Sequence, residues 1–481
     1  MQDKFDLTSL WIGGKSVPAL SGNTYPINNP YTGLEAARVA KGSSEDTAKA
    51  LECAEAGFSL WSSKTGNERA NILYRGYFAI HEEAHLIERL ITDDCGKVVS
   101  EARKEVRSTG AFLRYCAEEA RRISGELLSS PDPDKRSIVT RQPIGIVAAI
   151  TASNAPGVLF GRKVASALAA GCSVVLKPAE EAFRSTVLIA QLLEQGGLPP
   201  GVLNVVAGDA ADIVACLTED PRVKVISFTG STTRGKQILA RASTTMKRVV
   251  LELGGVAPFI VFDDADIDDA VNGLIAGKFR HGGQICASPQ RIFLHDSVME
   301  PFKEKLLSRV SRLKFGDPSC ESSDYGPIQN EGIRMRIEEI VADAISKGAE
   351  VLFQGDNVHP RTLAPTVLSN ITPEMRITKE EVFGPVISIE RFSSDAEVLM
   401  RANDTEYGLG AYIYTTSLDR AFHAAEALDV GTVGINDPFP ASIEGPFGGI
   451  KQSGMGVEGG SYGLEEFLYR KQMSFHLSRR K

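Results

Sequence analysis

The sequence predicts an α/β protein built from more than one domain. Short apolar runs alternate with segments of helical spacing between residues 145 and 253. Such alternation is typical of a parallel sheet covered by helices on both faces. The chain has 481 residues, too many for a single small core, so two or three domains are expected. Its 43% hydrophobic and 24% charged residues are ordinary for a soluble globular protein.

The amino-terminal part is predicted to be helical. Residues 44–125 are rich in Ala, Glu, Leu and Arg, and Ser44 offers capping chemistry at their start. Residues 126–144 then change character, because turn-forming prolines precede a strand-like segment at 136–141. We expect this segment to form an exposed arm, with the tail after Gly460 packed on it.

The first sheet is expected to follow this arm. Its predicted strands are 145–150, 173–176, 203–206, 225–228 and 249–253, with helices at 157–171, 184–193, 210–217 and 233–242. A second β/α stretch covers roughly 255–445, and its clearest strands are 259–262, 291–294 and 386–391. Parallel sheets of this kind bind ligands at the carboxyl ends of their strands.

Charge, hydropathy and cysteine content exclude several classes of protein. The net charge of −8 argues against a nucleic-acid partner, and no apolar run approaches the ~18–20 residues of a membrane span. The acidic amino terminus argues against a signal peptide. Seven irregularly spaced cysteines without a C-x-x-C pair predict free thiols in a reducing, cytoplasmic compartment.

Two segments resemble short motifs from other classes of enzyme. Residues Gly230–Lys236 nearly match the phosphate-binding loop, but Gln237 replaces the hydroxyl residue that would ligate magnesium. A diphosphate site or a plain strand–helix turn both remain open there. His81 and His85 match H-E-x-x-H, with Glu101 or Glu105 as third zinc ligand, but an acidic helix face is the favoured alternative.

Two further residues suggest covalent chemistry. Cys286 follows a Gly283-Gln-Ile segment, and a thiol among glycines is an unusual core residue, so it is a candidate nucleophile. Glu252 ends an apolar strand, where a buried charge is costly. It is either a general base or a carboxylate satisfied by local hydrogen bonds.

Five motifs together resemble the aldehyde dehydrogenase superfamily. They are Phe228-Thr-Gly-Ser-Thr232, Glu252-Leu-Gly-Gly255, Gly283-Gln-x-Cys286 with Arg291 following, Glu380-Glu-Val-Phe-Gly-Pro385 and Pro446-Phe-Gly-Gly-x-Lys-x-Ser-Gly454. Their order and separations match the family nearly end to end. The succinate-semialdehyde dehydrogenase branch is the most similar.

The resemblance implies a domain organisation. A Rossmann-like dinucleotide-binding domain would comprise residues 1–125 and 145–253, and an α/β catalytic domain residues 254–459. Residues 126–144 and 460–481 would form a small β oligomerisation arm. Family members are dimers or tetramers, so a homodimer or homotetramer is expected.

The resemblance also implies catalytic roles for three residues. Cys286 would attack the aldehyde carbon to give a thiohemiacetal and then a thioester, and Glu252 would activate the water that hydrolyses it. The Asn154 amide would stabilise the oxyanion together with the Cys286 backbone N–H. No metal is expected.

The expected cofactor is NAD, with NADP as the alternative. The resemblance places the adenine ribose at Lys177 and Glu180, the diphosphate at Gly230 and Ser231, and the nicotinamide ribose at Glu381 and Phe383. A carboxylate at 180 can accept hydrogen bonds from a free 2′-hydroxyl and would repel a 2′-phosphate.

The expected substrate is a semialdehyde with an anionic far end, such as succinate semialdehyde. Arg162 and Arg280 match positions that hold the distal carboxylate in that branch, and arginine pairs bidentately with carboxylates. A serine also contacts that carboxylate in the branch, and Ser442 is the nearest candidate for it. A small neutral or aromatic aldehyde is the alternative, and a non-catalytic cofactor-binding relative is less favoured. The usual Trp-Asn-Phe-Pro is replaced by Ser153-Asn-Ala-Pro156, which opens the question of pocket size.

Overall fold

A computed structural model describes residues 4–477 and contains three larger sheets surrounded by helices. The strands are β1 Leu10–Ile12, β2 Lys15–Val17, β3 Thr24–Asn28, β4 Glu35–Ala40, β5 Glu126–Leu128, β6 Lys135–Pro143, β7 Ile146–Thr151, β8 Ser173–Pro178, β9 Leu203–Val205, β10 Val223–Thr229, β11 Arg248–Glu252, β12 Pro258–Val261, β13 Arg291–His295, β14 Glu350–Gln354, β15 Thr366–Ser369, β16 Val386–Phe392, β17 Tyr407–Gly408, β18 Gly410–Tyr414, β19 Thr432–Ile435, β20 Ile450–Lys451, β21 Gly454–Met455 and β22 Leu468–His476.

Helices make up most of the remaining regular structure. They are α1 Ser44–Ser62, α2 Gly66–Glu82, α3 Ala84–Cys95, α4 Val99–Ala120, α5 Pro156–Phe160, α6 Ser166–Ala170, α7 Phe183–Gln195, α8 Ala210–Glu219, α9 Thr232–Ala242, α10 Ile267–Lys278, α11 Met299–Val310, α12 Glu331–Ser346, α13 Asp395–Asn403, α14 Leu418–Ala427 and α15 Gly460–Glu465. None of the helices within residues 4–477 is long and apolar enough to span a bilayer.

The first sheet has eight strands in the order β2-β1-β9-β8-β7-β10-β11-β21. Its five central strands run parallel, and the strands at both edges pair antiparallel. All six residues of β7 are buried, as expected for a strand covered on both faces. The predicted parallel sheet with helices on both faces is therefore confirmed.

The amino-terminal helices and the first β/α units agree with the sequence prediction, with two additions. Residues 44–120 form α1 to α4, and α1 begins with a capping box between Ser43 and Asp46. The strands β1 to β4 were not predicted, because their short segments lack the regular alternation that identifies a half-buried strand. The predicted helix 157–171 is continuous but contains a π-helical turn at Gly161–Ala165.

The second sheet has seven strands in the order β14-β15-β16-β13-β12-β18-β19. All neighbouring pairs are parallel except β14–β15. The three predicted strands correspond to β12, β13 and β16, within one residue at each end. This sheet is therefore also of the parallel α/β type, as predicted.

The arm is a three-stranded antiparallel sheet in the order β22-β6-β5. β22 pairs with β6 along nine residues, from Leu468 opposite Pro143 to His476 opposite Lys135. The prediction that the tail after Gly460 packs on the 126–144 segment is confirmed for the described residues, and residues 478–481 lie outside them.

The division into three domains remains a proposal. The eight-stranded sheet contains residues 10–17 and 146–252, as the proposed cofactor domain requires. It also takes β21 from the proposed catalytic part, since Leu251 pairs with Met455 and Glu252 with Gly454. The two parts therefore share a sheet edge beside the carboxyl end of β11.

Candidate active site

A cavity of about 340 Å³ lies between the two large sheets. It opens at the carboxyl ends of β7, β10 and β11, where a parallel sheet is expected to bind ligands. Its wall includes Ala152, Ser153, Asn154, Ala155, Val158, Leu159, Arg162, Thr229, Gly230, Ser231, Glu252, Leu253, Arg280, Ile285, Cys286, Ala287, Gln329, Ile333, Arg336, Glu381, Val382, Phe383, Ala441, Phe447 and Glu458. Nine of the twelve predicted site residues are among them.

Cys286 is presented to the cavity by the loop between α10 and β13. Gly283 in that loop has φ 80°, and a Cβ there would collide with the carbonyl oxygen of Gly384. Only glycine meets both requirements, so the turn depends on that residue. Cys286 itself is half-buried and free of any disulfide.

Glu252 is the last residue of β11 and faces the same cavity. Its Oε1 has no hydrogen-bond partner among residues 4–477. Burial, assisted by the nearby charge of Glu458, raises the pKa of Glu252 to about 7. Its carboxyl group is also within hydrogen-bonding reach of the Cys286 thiol. Glu252 is thus poised to exchange a proton near neutral pH.

The surroundings of the Cys286 thiol favour its protonated form. Burial and the adjacent Glu252 carboxylate raise the pKa of Cys286 well above its ordinary value, and only Arg162 acts in the opposite direction. A thiolate is the effective nucleophile. Deprotonation of the thiol would therefore require a base, and the carboxyl group of Glu252 lies within hydrogen-bonding reach of it.

Asn154 connects the first sheet to the nucleophile loop. It follows β7 and precedes α5, and its side chain is buried. Its Nδ2 donates a hydrogen bond to the Gln284 carbonyl oxygen at 3.0 Å. This bond holds the Asn154 amide against the loop that carries Cys286, because Gln284 is only two residues before the cysteine. The second N–H of the amide is still available to another acceptor.

The π-helical turn between α5 and α6 brings two consecutive basic residues into the interior. Arg162 is buried against the cavity, and Lys163 is fully buried on the side of Glu458, with which it forms an ion pair. Lys163 also donates to Ser227 Oγ at 3.2 Å. Such turns recur at functional sites because they redirect neighbouring side chains.

The three predicted substrate residues differ in their placement. Arg162 lies 4.2 Å from the Phe447 ring centre, and its Nη1 is buried without a hydrogen-bond partner in the described part of the chain. Arg280 is exposed and lies 5.7 Å from the ring centre of Phe439. Ser442 is not brought to the cavity wall, because its hydroxyl accepts the Gly445 backbone N–H at 2.9 Å in an exposed turn.

Gly230 and Ser231 lie between β10 and the amino terminus of α9. Ser231 is the N-cap, and its side chain accepts from the Arg234 backbone N–H. A Cβ at Gly230 would lie 2.5 Å from the tip of the Phe228 ring, so a larger residue would have to displace that ring. Both residues line the cavity, where a helix amino terminus attracts anions.

Glu381 and Phe383 line the same cavity as Gly230 and Ser231. Burial raises the pKa of Glu381 to about 7, and its Oε1 accepts the Gly255 backbone N–H at 3.4 Å. A Cβ at Gly254 would lie 2.8 Å from Glu381 Oε2, so glycine leaves room for this carboxylate. Phe383 has φ 56°, which is uncommon for a bulky side chain and typical of functional loops.

Lys177 and Glu180 lie outside the described wall of the cavity. Lys177 pairs in the sheet with Ile150, so it sits at the carboxyl end of β8 beside the end of β7. Its Nζ donates to Glu180 Oε1 at 2.9 Å, and the Glu180 side chain is 39% exposed. Both are therefore adjacent to the strand ends that open the cavity.

The zinc hypothesis fails on geometry. α2 ends at Glu82 and α3 begins at Ala84, so His81 and His85 do not share a helix face. Glu101 accepts the His281 backbone N–H, and Glu105 is paired with a buried lysine. Within residues 4–477 no cluster of metal-binding side chains is present.

Several residues of the site were not predicted from the sequence. Lys163 and Glu458 are 295 residues apart, and no local motif marks either of them. Gln329 reaches the cavity through hydrogen bonds to Gln284 and Ser153. Arg336 lines the cavity from α12. Only the fold brings these residues together, and the sequence carries no local signal for them.

The family model described as the aldehyde dehydrogenase family matches residues 17–473. The chain belongs to this family. It is therefore an oxidoreductase that acts on aldehydes, and the resemblance inferred from the five motifs is confirmed.

This aldehyde dehydrogenase is similar to enzymes of known specificity over nearly its whole length. It is 42% identical to a 3-sulfolactaldehyde dehydrogenase of Pseudomonas putida over 95% of both chains. It is 41% identical to a glutarate-semialdehyde dehydrogenase of Pseudomonas putida over 96% of both. It is also 41% identical to the NADP(+) succinate-semialdehyde dehydrogenase GabD of Escherichia coli over 97% of both.

Two solved structures are similar to this aldehyde dehydrogenase. A succinate-semialdehyde dehydrogenase from Burkholderia pseudomallei has a TM-score of 0.96 at 41% identity, over 98% of both chains. A betaine aldehyde dehydrogenase from Staphylococcus aureus, solved in complex with NAD+, has a TM-score of 0.95 at 33% identity, over 98% of this chain and 96% of that one. The Rossmann-like fold class is confirmed.

Proposed function

We propose that this aldehyde dehydrogenase oxidises a carboxylated aldehyde to the corresponding acid with NAD or NADP. The observation that carries the proposal is one cavity that holds Cys286, Glu252, Asn154 and Arg162, whose buried Nη1 has no hydrogen-bond partner in the described part of the chain. The first three provide a nucleophile, a base and an oxyanion donor. The fourth is a buried cation whose Nη1 has no hydrogen-bond partner among residues 4–477, which favours a ligand with an anionic acceptor.

In the first step the Cys286 thiol gives its proton to Glu252. The sulfur then bonds to the aldehyde carbon, and the carbonyl oxygen becomes an oxyanion. The second N–H of Asn154 and the Cys286 backbone N–H are the proposed donors to that oxyanion. A preorganised donor of this kind contributes roughly 3–4 kcal/mol to transition-state stabilisation in other enzymes.

The cofactor half of the cavity fits a dinucleotide. Gly230 and Ser231 provide a close-approach turn at a helix amino terminus, which suits a diphosphate. The buried carboxyl group of Glu381 and the strained Phe383 line the end nearest Cys286. When bound, NAD(P) supplies the hydride acceptor that turns the thiohemiacetal into a thioester.

Glu252 then releases the proton that it took from Cys286 to solvent and is again a carboxylate. In the last step this carboxylate removes a proton from water, and the resulting hydroxide attacks the thioester carbon. The carbon–sulfur bond breaks, the acid leaves, and Cys286 recovers its thiol. A base with a pKa of about 7 can accept a proton and release it near neutral pH. The same carboxylate thus serves both steps.

The anionic end of the substrate is assigned to Arg162 and Arg280. Both line the cavity that contains Cys286. The relatives named for succinate, glutarate and sulfolactaldehyde substrates all act on aldehydes with an anionic group, which supports this assignment. Ser442 is a weaker candidate, because its hydroxyl is already engaged with Gly445.

We further propose NAD as the preferred cofactor, with Lys177 and Glu180 at the adenine ribose. Glu180 is partly exposed beside the strand ends, where its carboxylate can accept from a 2′-hydroxyl. One relative is named as an NADP(+) enzyme and one solved neighbour holds NAD+, so relatives differ in this respect.

The remaining proposals concern assembly and location. The arm exposes Leu127 and Phe475, which a second subunit would cover in a homodimer or homotetramer. All seven cysteines lie within the described residues and none is paired, which supports a cytoplasmic location.

The test compares succinate semialdehyde with neutral butyraldehyde. Arg162→Ala and Arg280→Ala should each raise KM for the anionic aldehyde by about tenfold or more while changing that for butyraldehyde little. Equal effects on both aldehydes would contradict the arginine assignment.

Cys286→Ala should abolish turnover and retain NAD binding. Residual turnover in this variant would contradict the assignment of Cys286 as the nucleophile.

A further inference from the structure

The cavity continues into a wider tunnel away from the cofactor half. A second space of about 580 Å³ adjoins it. The two spaces share the wall residues Ala155, Val158, Arg162, Arg280, Ile285 and Ala441. The substrate side of the site is therefore a long passage, and the position of Cys286 sets its inner end.

Small side chains line this passage close to the nucleophile. Ala155 borders both spaces and is only half-buried, so its methyl group faces open volume. Ala287 and Ala441 lie on the same inner wall. A void of this kind without a ligand loses the dispersion contacts that a close-packed wall would provide.

The neighbouring residue Ser153 lines the first cavity but not the second space. Ser153 donates a hydrogen bond to Gln329 Oε1 at 3.1 Å, and the Gln329 amide in turn donates to the Cys95 carbonyl oxygen. Gln329 therefore fills the region beside Ser153. The open volume lies on the Ala155 side, toward the outer tunnel.

The tunnel wall combines apolar side chains with charged side chains of both signs. The basic residues are Lys97, Lys104, Arg162 and Arg280, and the acidic residues are Glu101, Glu105 and Asp324, of which Glu105 is paired with Lys97. Val158, Ile275, Phe279, Ile285, Leu313 and Ile443 form its apolar lining. The two arginines are each stacked near a phenylalanine, Arg162 on Phe447 and Arg280 on Phe439. This combination suits a ligand with an apolar body and an anionic end.

We propose that the preferred substrate is a carboxylated aromatic aldehyde whose ring lies beside Ala155. The proposal rests on the proposed function and specifies its substrate. The aldehyde carbon meets Cys286, the flat ring occupies the space next to the Ala155 methyl group, and the carboxylate pairs with the arginines. A short aliphatic semialdehyde leaves the ring-sized volume unfilled and gains less contact area.

The first experiment measures kcat/KM of the full-length enzyme with NAD for four aldehydes. They are 4-carboxybenzaldehyde, succinate semialdehyde, benzaldehyde and butyraldehyde. We expect 4-carboxybenzaldehyde to exceed succinate semialdehyde by at least about tenfold, the range in which pocket filling discriminates substrates. Equal or lower efficiency for 4-carboxybenzaldehyde overturns the aromatic assignment.

The second experiment adds bulk at the position that faces the void. Ala155→Phe should lower kcat/KM for 4-carboxybenzaldehyde by about 10- to 100-fold and change that for succinate semialdehyde by less than about threefold. Ala211→Phe, on an exposed face of α8, is the matched control and should leave both values unchanged. Thermal melting and NAD binding monitor folding.

A milder variant covers the outcome in which Ala155→Phe loses activity with both aldehydes. Ala155→Val should then lower the ratio of the two efficiencies by about threefold or more. An unchanged ratio in this variant overturns the proposal.

The two proposals fail in different ways. If succinate semialdehyde is the better anionic substrate, the aromatic assignment is wrong and the proposed function stands. If 4-carboxybenzaldehyde is no better than benzaldehyde, and succinate semialdehyde no better than butyraldehyde, the anionic specificity of the proposed function is itself wrong.

Discussion

Glu252 is a residue whose local environment is unfavourable for its charge and useful for the proposed chemistry. Because it is assigned to hydrolysis of the thioester, Glu252→Gln should slow steady-state turnover by about 100-fold or more. The first burst of reduced cofactor should be retained at a lower rate, since the same carboxylate also receives the thiol proton. Rapid-mixing absorbance measurements separate the two phases, and an unchanged steady-state rate would contradict the role.

The raised pKa of Glu252 also predicts a cost in stability. Its folded-state pKa of about 7 exceeds the ordinary 4.5, so the folded protein binds this proton more tightly than the unfolded chain. The resulting stability is present below 4.5 and is lost as pH rises through about 7. Glu252→Gln should therefore raise the melting temperature above pH 7 by about 2 °C. The difference should vanish near pH 4.5, and an equal gain at both values would refute this origin.

Substitution of Glu458 tests the pKa of Glu252 independently, without changing Glu252 itself. Its charge contributes to raising the pKa of Glu252, and its own carboxylate is paired with Lys163. Glu458→Gln should shift the midpoint of the pH–rate profile downward by about one unit. Ser227→Ala removes a neutral hydroxyl from the same cluster and serves as the control, with no expected shift. An upward shift in Glu458→Gln would show that the charge does not act on Glu252.

At this scale the sequence identifies residues that belong to contiguous motifs. Cys286, Glu252 and Asn154 were found in this way, and all three lie on the cavity wall. Ser442 was chosen by nearness to a motif alone, and its hydroxyl is used in a turn instead. Glu458 could not be found, because its contacts depend on chain crossings that no local pattern encodes.

Among the elements, the end of β8 carries the two residues proposed to select the cofactor. Lys177 is the second-last residue of β8 and Glu180 follows the strand, and the two form an ion pair beside the end of β7. Glu180→Gln removes the charge that would repel a 2′-phosphate while keeping a hydrogen-bond acceptor. The ratio of kcat/KM for NAD over NADP should fall by about tenfold, mainly through a gain with NADP. An unchanged ratio would place the discrimination elsewhere.

Element boundaries show where sequence patterns succeed and where they fail. The apolar run of β7 and the helical spacing of 157–171 were sufficient to predict both elements. The π-helical turn at Gly161–Ala165 was not predicted, because one extra residue in a turn does not disturb a mostly apolar pattern. That extra residue is what allows Arg162 and Lys163 both to face the interior.

In the whole molecule, the alternation of strands and helices was enough to predict two parallel sheets and their ligand-binding ends. The sequence could not show how the sheets meet. β21 crosses from the second part of the chain to pair with β11, and this contact brings Gly454 beside Glu252. The cavity is lined by residues from distant parts of the chain, from Ala152 to Glu458, so its volume and its continuation into the tunnel became visible only in three dimensions.

The arm provides a test of assembly with a built-in control. Leu127, Ile138 and Met473 face each other across three strands and form an apolar row, with Leu127 70% exposed. Leu128 belongs to the opposite face, since successive side chains alternate along a strand, and its cross-strand neighbours are serines.

A subunit interface on the Leu127 face predicts different outcomes for two matched substitutions. Leu127→Asp places a charge in the buried contact and should reduce the native mass measured by sedimentation to that of a smaller assembly. Leu128→Asp adds the same charge on the serine-lined face and should leave the mass unchanged. Circular dichroism checks that both variants fold. Equal dissociation of both, or of neither, would mean that subunits do not meet on the apolar row, because only that row combines exposure with a continuous apolar surface.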